Sequence, residues 1–176
     1  MLHTDRLTLR PFGPDDVEPH MAMMAHPDVA ATLAPEGLPR ARADEWRSAA
    51  SYIGHWSIRG YGFFSVVETA TGDWVGRVGP WFPEGWPALE CGWGVAREHW
   101  GKGYAPEAAV AAVRWTFAKF PELDRIISVI EPTNVNSQAV ARKIGETRTD
   151  EKFDFWKFTL EVWAADRTEW LARFGA

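Results

Sequence analysis

Apolar positions along the chain recur on two periods, and the switches between them lay out a mixed fold. In "TDRLTLRPF" Leu7 and Leu9 alternate with polar residues and Phe12 follows, a strand pattern, before Pro14, Asp15 and Asp16 open a helical stretch. From Arg40 to about Arg59 the chain is helix-permissive, with Trp46, Ala49, Ala50, Ile53 and Trp56 spaced to form one apolar face. "GYGFFSVVE" and "DWVGRVGPW" are β-rich, and "TATGD" between them supplies the Gly and Asp of a tight turn, so an antiparallel hairpin is expected. A Pro/Trp-rich loop, "PWFPEGWP", leads into the strand "ALECGWGV", whose Gly92 and Gly94 point to a bulge or a close backbone approach.

Beyond it, Ala109, Val113, Phe117 and Phe120 recur at spacings of four, four and three, one stripe of a helix starting near Pro106 and ended by Pro121. "RIISVI" reads as a short buried strand, "NSQAVARKIG" as a compact helix closed by Gly145, and "FDFWKFTLEVW" as one last long strand. No internal repeat, low-complexity segment or linker interrupts the pattern. The expectation is a single α+β domain over residues 1–176 with a mixed sheet of about six or seven strands and helices interspersed.

Composition narrows the function. At 176 residues and 46% hydrophobic content there is chain for one well-buried core. The formal charge of -5 argues against a general nucleic-acid surface. The one cysteine, Cys91, sits in an apolar stretch, so neither a disulfide framework nor a thiol metal cluster is expected. His3, His20, His26, His55 and His99 fall in no metal-ligand spacing; no metal is expected, and His99 is singled out only for its place beside the glycine loop. "MLHTDRLTLRPF" lacks an apolar core of signal-peptide length, and no segment approaches the roughly 20 apolar residues that span a bilayer. A soluble, cytoplasmic protein without membrane association is the expectation, as monomer or homodimer.

The candidate chemistry centres on "GWGVAREHWGKGYAPEA". Strand, glycine turn and helix N-terminus together form an anion site, because unpaired N–H groups point outward and the helix dipole favours negative charge there. Gly101 and Gly103 let a phosphate approach the main chain, and Lys102 adds charge at the rim. The spacing is neither a Walker loop nor a G-x-G-x-x-G fingerprint. A G-x-G alone is equally the mark of an ordinary turn. "EPTNVNSQAVARKIG" carries Asn134 and Ser137 ahead of an amphipathic run, a pattern that on spacing alone reads as helix capping. Strand alternation places Glu90, Gly92 and Gly94 on one face and Leu89, Cys91, Trp93 and Val95 on the other.

"ECGWGV", then "WGKGYAPEA", then "NVNS" some thirty residues on resembles the GNAT N-acetyltransferase superfamily, and more narrowly its RimJ/RimL-like branch. The resemblance runs from Asp5 to about Glu161. It implies a mostly antiparallel central sheet splayed between its fourth and fifth strands and flanked by about four helices. It also implies acetyl-CoA as cosubstrate, with Trp93, Gly94 and Val95 of the fourth strand along the pantetheine arm, and Trp100, Gly101, Lys102, Gly103, Tyr104 and Ala105 around the pyrophosphate. Asn134 is then a cofactor contact, Ser137 a donor near the thioester sulfur, and Glu90 a carboxylate facing the catalytic cleft. The family's Arg or Gln three residues ahead of the first loop glycine is replaced by Glu98, which removes a donor; Arg97 next door is placed to compensate. The implied activity is acetyl transfer to a primary amine of a small molecule or a protein N-terminus. A non-catalytic acyl-CoA-binding sensor or scaffold is the alternative, kept open by Glu98. Among eleven tryptophans, Trp81 and Trp86, with Phe82 between them, are candidates for an acceptor-pocket wall or a subunit contact.

Overall fold

The computed structural model describes residues 1–34, 36–155 and 158–175. Among them eight strands form one sheet: β1 (Leu2–His3), β2 (Leu7–Pro11), β3 (Phe64–Glu68), β4 (Trp74–Trp81), β5 (Glu90–Val95), β6 (Arg125–Ile130), β7 (Thr147–Phe155) and β8 (Phe158–Asp166). The order is β1-β2-β3-β4-β5-β6-β8-β7, and every neighbouring pair is antiparallel except β5 and β6. Six α-helices accompany it: α1 (Val17–Ala25), α2 (Pro27–Leu33), α3 (Arg42–Arg59), α4 (Tyr104–Lys119), α5 (Val135–Lys143) and α6 (Arg167–Phe174). None is long and apolar enough to cross a membrane.

The main core lies between the sheet and α4. Ala108, Ala109 and Ala112 have no exposed surface, and these small side chains let α4 sit close on Leu7, Leu9, Val75, Cys91 and Ile126 while Val113 and Phe117 fill the remaining depth. A second cluster joins α1 and α2 to the end of β5, through Met23, Met24, Val29 and Ala96 with Leu33 and Trp100 against them. The entry to α1 is fixed by Asp16, which takes both ends of the Arg10 fork at 2.7 Å and the Gly13 amide at 2.8 Å.

Several elements differ from the sequence expectation. The count is eight strands and six helices, not six or seven and four, because β1, α2 and α6 are too short or too polar to show a clear period. With β1 added in front, the strand expected as fourth is β5. Helix α4 begins at Tyr104, two residues ahead of Pro106, since a proline is tolerated in the first turn, where amides lack partners anyway. In α3 the buried positions include Glu45, Ala49 and His55, and Trp46 is 56% exposed; the helix is rotated toward the pair that His20 makes with Glu45. The single long strand expected over "FDFWKFTLEVW" is two, with Phe155 opposite Phe158; Trp156 and Lys157 of that stretch lie outside the described residues. An alternating pattern does not register a reversal when an even number of residues separates the strands.

Helix α6 closes the core from the C-terminal side. Trp170 is 2% exposed, packs on Phe117, and donates its indole N–H to the Ile144 carbonyl at 2.7 Å. Trp170→Ala should therefore cost about 3–5 kcal/mol in urea unfolding. A loss within about 0.5 kcal/mol, the usual range for a surface site, would show that α6 is not part of the core.

Candidate active site

Strands β5 and β6 are in register at Glu90 and Ile127, with the Ile127 amide donating to the Leu89 carbonyl at 3.2 Å, and beyond that pair they part. Because the Ala96 amide bonds Val75 on the β4 side, alternation turns the amides and carbonyls of Cys91, Trp93 and Val95 toward the gap. The Val95 carbonyl is taken by the Trp100 indole at 2.7 Å. The Cys91 carbonyl is met by the Ser128 hydroxyl of β6 at 2.8 Å, a side chain standing in for a ladder bond.

A cavity of about 390 Å³ opens at this gap, walled by β5, the glycine loop, α4's first turn, α5 and the end of α2. Of the residues singled out from the sequence, Trp93, Gly94, Val95, Trp100, Gly101, Gly103, Tyr104, Ala105, Asn134 and Ser137 all line it. Lys102 does not: its ammonium lies 3.2 Å from His99 Nδ1 and over the Tyr104 ring, while His99 itself faces the cavity. Glu98 is exposed and outside the wall. Arg97 does not stand in for the missing donor, because its guanidinium pairs with Asp28 of α2 at 2.7 Å and stacks on Trp100. The cation that does reach the wall is Lys143, on the α5 face shared by Asn136 and Val140, a spacing visible in the sequence once the helix is drawn.

Gly101 and Gly103 have φ of 76° and 80°, the left-handed region that favours glycine. The amides of Gly101, Lys102 and Gly103 make no backbone hydrogen bond among the described residues, and Tyr104 and Ala105 add the unpaired amides of a helix start. A Cβ on Gly101 would meet nothing within 4 Å, so open space lies above the turn. Arg6 supports it from below, donating to the Lys102 carbonyl at 2.9 Å and pairing with Glu107.

Asn134 caps α5, its side-chain oxygen accepting the Ser137 amide at 3.0 Å. Ser137 is not itself the cap. Its oxygen accepts the Trp93 indole N–H at 3.2 Å, and since the indole can only donate, the serine proton stays free to donate elsewhere.

Glu90 lies at the one registered β5–β6 pair, where the gap begins, 8% exposed and not among the residues that line the cavity. Its carboxylate accepts the Trp86 indole at 2.5 Å and the Val129 amide of β6. Burial nevertheless dominates and raises its pKa to about 7, against the pull of Trp86, Val129 and the Arg77 charge. On the other side of the gap Glu146 is buried and also pushed well above the usual carboxylate range, by burial first. Its Oε1 is 2.9 Å from Ser128 Oγ. A protonated Glu146 donating to Ser128 frees the serine proton for the Cys91 carbonyl, so both contacts are satisfied at once. Cys91 is fully buried and its thiol pKa is raised by burial and by these two acids, which leaves it unsuited to nucleophilic work.

The Pro/Trp loop divides in two. Trp86 holds Glu90 and packs its ring on Phe153 and Phe155, and Trp81 stacks on Phe63 at 5.0 Å. Phe82 instead lies under Arg59 of α3. Ser128, Glu146, Lys143 and the α2 residues Thr32 and Leu33 were not singled out from the sequence. Only Lys143 carried a periodic signal; the others depend on which strands become neighbours.

Residues 6–147 match the family described as "Acetyltransferase (GNAT) domain". The chain belongs to that family of acetyltransferases. An acetyltransferase of Agrobacterium tumefaciens of known structure is 31% identical, with a TM-score of 0.82 over 93% of this chain and 92% of that one. The N-acetyltransferase p20 of Bacillus licheniformis is 28% identical over 138 residues, 77% of this chain and 76% of that protein. The protein YkkB of Bacillus subtilis (strain 168) is 36% identical over 91 residues, 49% of this chain, and the match spans about half, 52%, of its length.

The Glu90 environment makes a pH-dependent prediction. An acid whose folded pKa is raised from 4.5 to about 7 binds more protons folded than unfolded in that window, so stability falls as pH rises through it. Glu90→Gln has no such loss. Its stability relative to the parent should climb between about pH 4.5 and 7 and level off above, by a total on the order of 3 kcal/mol. Denaturant melts at a series of pH values check this, and a pH-independent difference would place Glu90 in water.

Proposed function

We propose that the protein is an acetyl-CoA-dependent N-acetyltransferase of the RimJ/RimL-like branch, moving an acetyl group to a primary amine by direct attack. The observation that carries the proposal is the open gap between β5 and β6, with unpaired amides along one wall and a carboxylate of pKa about 7 at its base. A nucleotide pyrophosphate suits the loop, whose amides from Gly101 to Ala105 face outward at a helix N-terminus, with Lys143 as the wall cation. An extended amide-bearing arm suits the edge of β5, as strand addition does elsewhere. Acetyl-CoA, when bound, supplies the activated acyl group.

The protein's own part is positioning and charge. The amides of Trp93 and Val95, turned into the gap, stabilise negative charge developing on the acyl oxygen. Glu90, its carboxyl pKa raised by burial to about 7, accepts the proton that the amine sheds as its lone pair forms the new C–N bond. Ser137, with its oxygen already occupied by Trp93, donates toward the departing sulfur. No enzyme nucleophile is needed, in keeping with the buried, proton-holding Cys91.

Free CoA release across a panel of amines tests the activity; stabilisation by acetyl-CoA without release from any amine identifies a binding module instead. The site is tested by Gly103→Val. A β-branched residue at φ of 80° is strained, so the variant should lose roughly 1–2 kcal/mol of stability, and its Cβ would lie 3.5 Å from the Arg6 guanidinium that supports the loop, so the added side chain displaces that support and with it the loop amides. The thermal shift given by saturating acetyl-CoA should vanish in the folded variant. A shift equal to the parent's would move the nucleotide site away from the loop.

A further inference from the structure

Helix α5 has two working faces. Asn136, Ser137, Val140 and Lys143 wall the first cavity, whereas Gln138 and Arg142, one turn apart, wall a second cavity of about 620 Å³ on the other side of the helix. The two cavities share no lining residue. The floor of the second is the sheet face that packs on Ala141 of α5. There Trp163 of β8 is in register with Ser128 of β6 on one side and Arg148 of β7 on the other, so the three side chains emerge together. Glu146 reaches Ser128 from the short connection between α5 and β7.

Two polar atoms of that floor are buried and unpaired among the described residues. Trp163 is 3% exposed, and its indole N–H, which can only donate, has no acceptor. Glu146 is 2% exposed; its Oε1 is committed to Ser128, and its Oε2 has no partner. With the carboxyl held neutral by burial and its proton directed to Ser128, Oε2 is an acceptor.

The wall adds charge. The Arg142 guanidinium carbon lies 5.0 Å from the centre of the Trp163 ring, and its one hydrogen bond among the described residues is a long one, 3.4 Å, to Gln138. No carboxylate pairs with it there. Glu161 is taken by Arg148 at 3.1 Å and by Lys152 at 3.4 Å, so its charge is spent and the cavity is left with an excess of positive charge. Water answers each unpaired atom singly but brings no countercharge. A carboxylate with a neutral N–H or O–H on the adjacent carbon answers all three: its oxygens take the indole N–H and the guanidinium, and its donor meets Glu146 Oε2.

We propose that this cavity is a second ligand site, for a small monocarboxylate with a neutral donor beside the acid group, the chemistry shared by 2-hydroxy acids and N-acylamino acids. The site uses no residue of the first cavity, so its test is independent of the acetyltransferase reading.

The probes are glycolate and N-acetylglycine, set against acetate, which lacks the donor, and against glycolamide and N-acetylglycinamide, which lack the charge. Each is titrated into isotope-labelled protein while the indole N–H resonances are followed, that of Trp163 being identified by its loss in Trp163→Phe. The Trp163 resonance should move and saturate at low-millimolar acid, with acetate about two- to tenfold weaker and the amides about ten- to a hundredfold weaker. The tighter of the two acids identifies the donor as O–H or N–H. Arg142→Met, at an exposed helix position, should weaken the acids by about ten- to a hundredfold and leave the amides as they were. A Trp163 resonance that no probe moves means a water-filled cleft only and overturns the site. Amides that bind as well as the acids, or acids indifferent to Arg142→Met, overturn the carboxylate assignment. Acids that move the indole of Trp93 or Trp100 instead belong to the first cavity and overturn the proposal as well.

Discussion

The hydrogen-bond ladder between β5 and β6 holds one registered pair and then stops, although both strands continue. Two adjacent strand edges that diverge inside a protein leave amides and carbonyls that must find other partners or face solvent. Here side chains do part of that work. Ser128 reaches from β6 to the Cys91 carbonyl, Glu90 reaches from β5 to the Val129 amide, and Trp100 takes the Val95 carbonyl. What is left unpaired is the edge at Trp93 and Val95, where, under the proposed function, a bound arm and an acyl oxygen would find donors already oriented.

The same gap explains why two carboxyl groups are tolerated in the interior. Glu90 and Glu146 lie on opposite sides of it, close enough for the charge on Glu90 to act on Glu146, and both are held toward their neutral forms by burial. They serve different ends. Glu146 stays protonated and works as a donor in the Ser128 bridge, whereas Glu90, softened by Trp86 and Val129, sits near the point where it exchanges a proton at physiological pH. Moving a carboxyl pKa this far costs stability.

Much of this was legible beforehand, and the boundary is physical. The loop from Trp100 to Ala105 could be read because a strand, a turn glycine and a helix start are contiguous in the chain. Glu90 could be placed on a face from alternation alone, and ten of the residues expected at the cofactor site do line one cavity. What could not be read is what contiguity does not carry. Ser128 and Glu146 matter only because β6 lies beside β5, Trp86 because its loop folds back over Glu90, and Arg97 turned out to be spent on Asp28 from a helix too short to show a period. Lys102 pointed away from the cavity because its flanking glycines turn the backbone twice in three residues.

The central claim is that the residue at the base of the gap, and not bulk water, takes the proton. The most direct measurement is kcat against pH for the parent and for Glu90→Gln, with an amine that turns over and with acetyl-CoA affinity followed separately. The account predicts a parent profile rising through an apparent pKa of about 7, and a variant slower by roughly 10²- to 10⁴-fold at neutral pH, with the gap narrowing as pH rises and acetyl-CoA affinity unchanged. Superimposable profiles would contradict it and leave Glu90 as a buried prop for the strands.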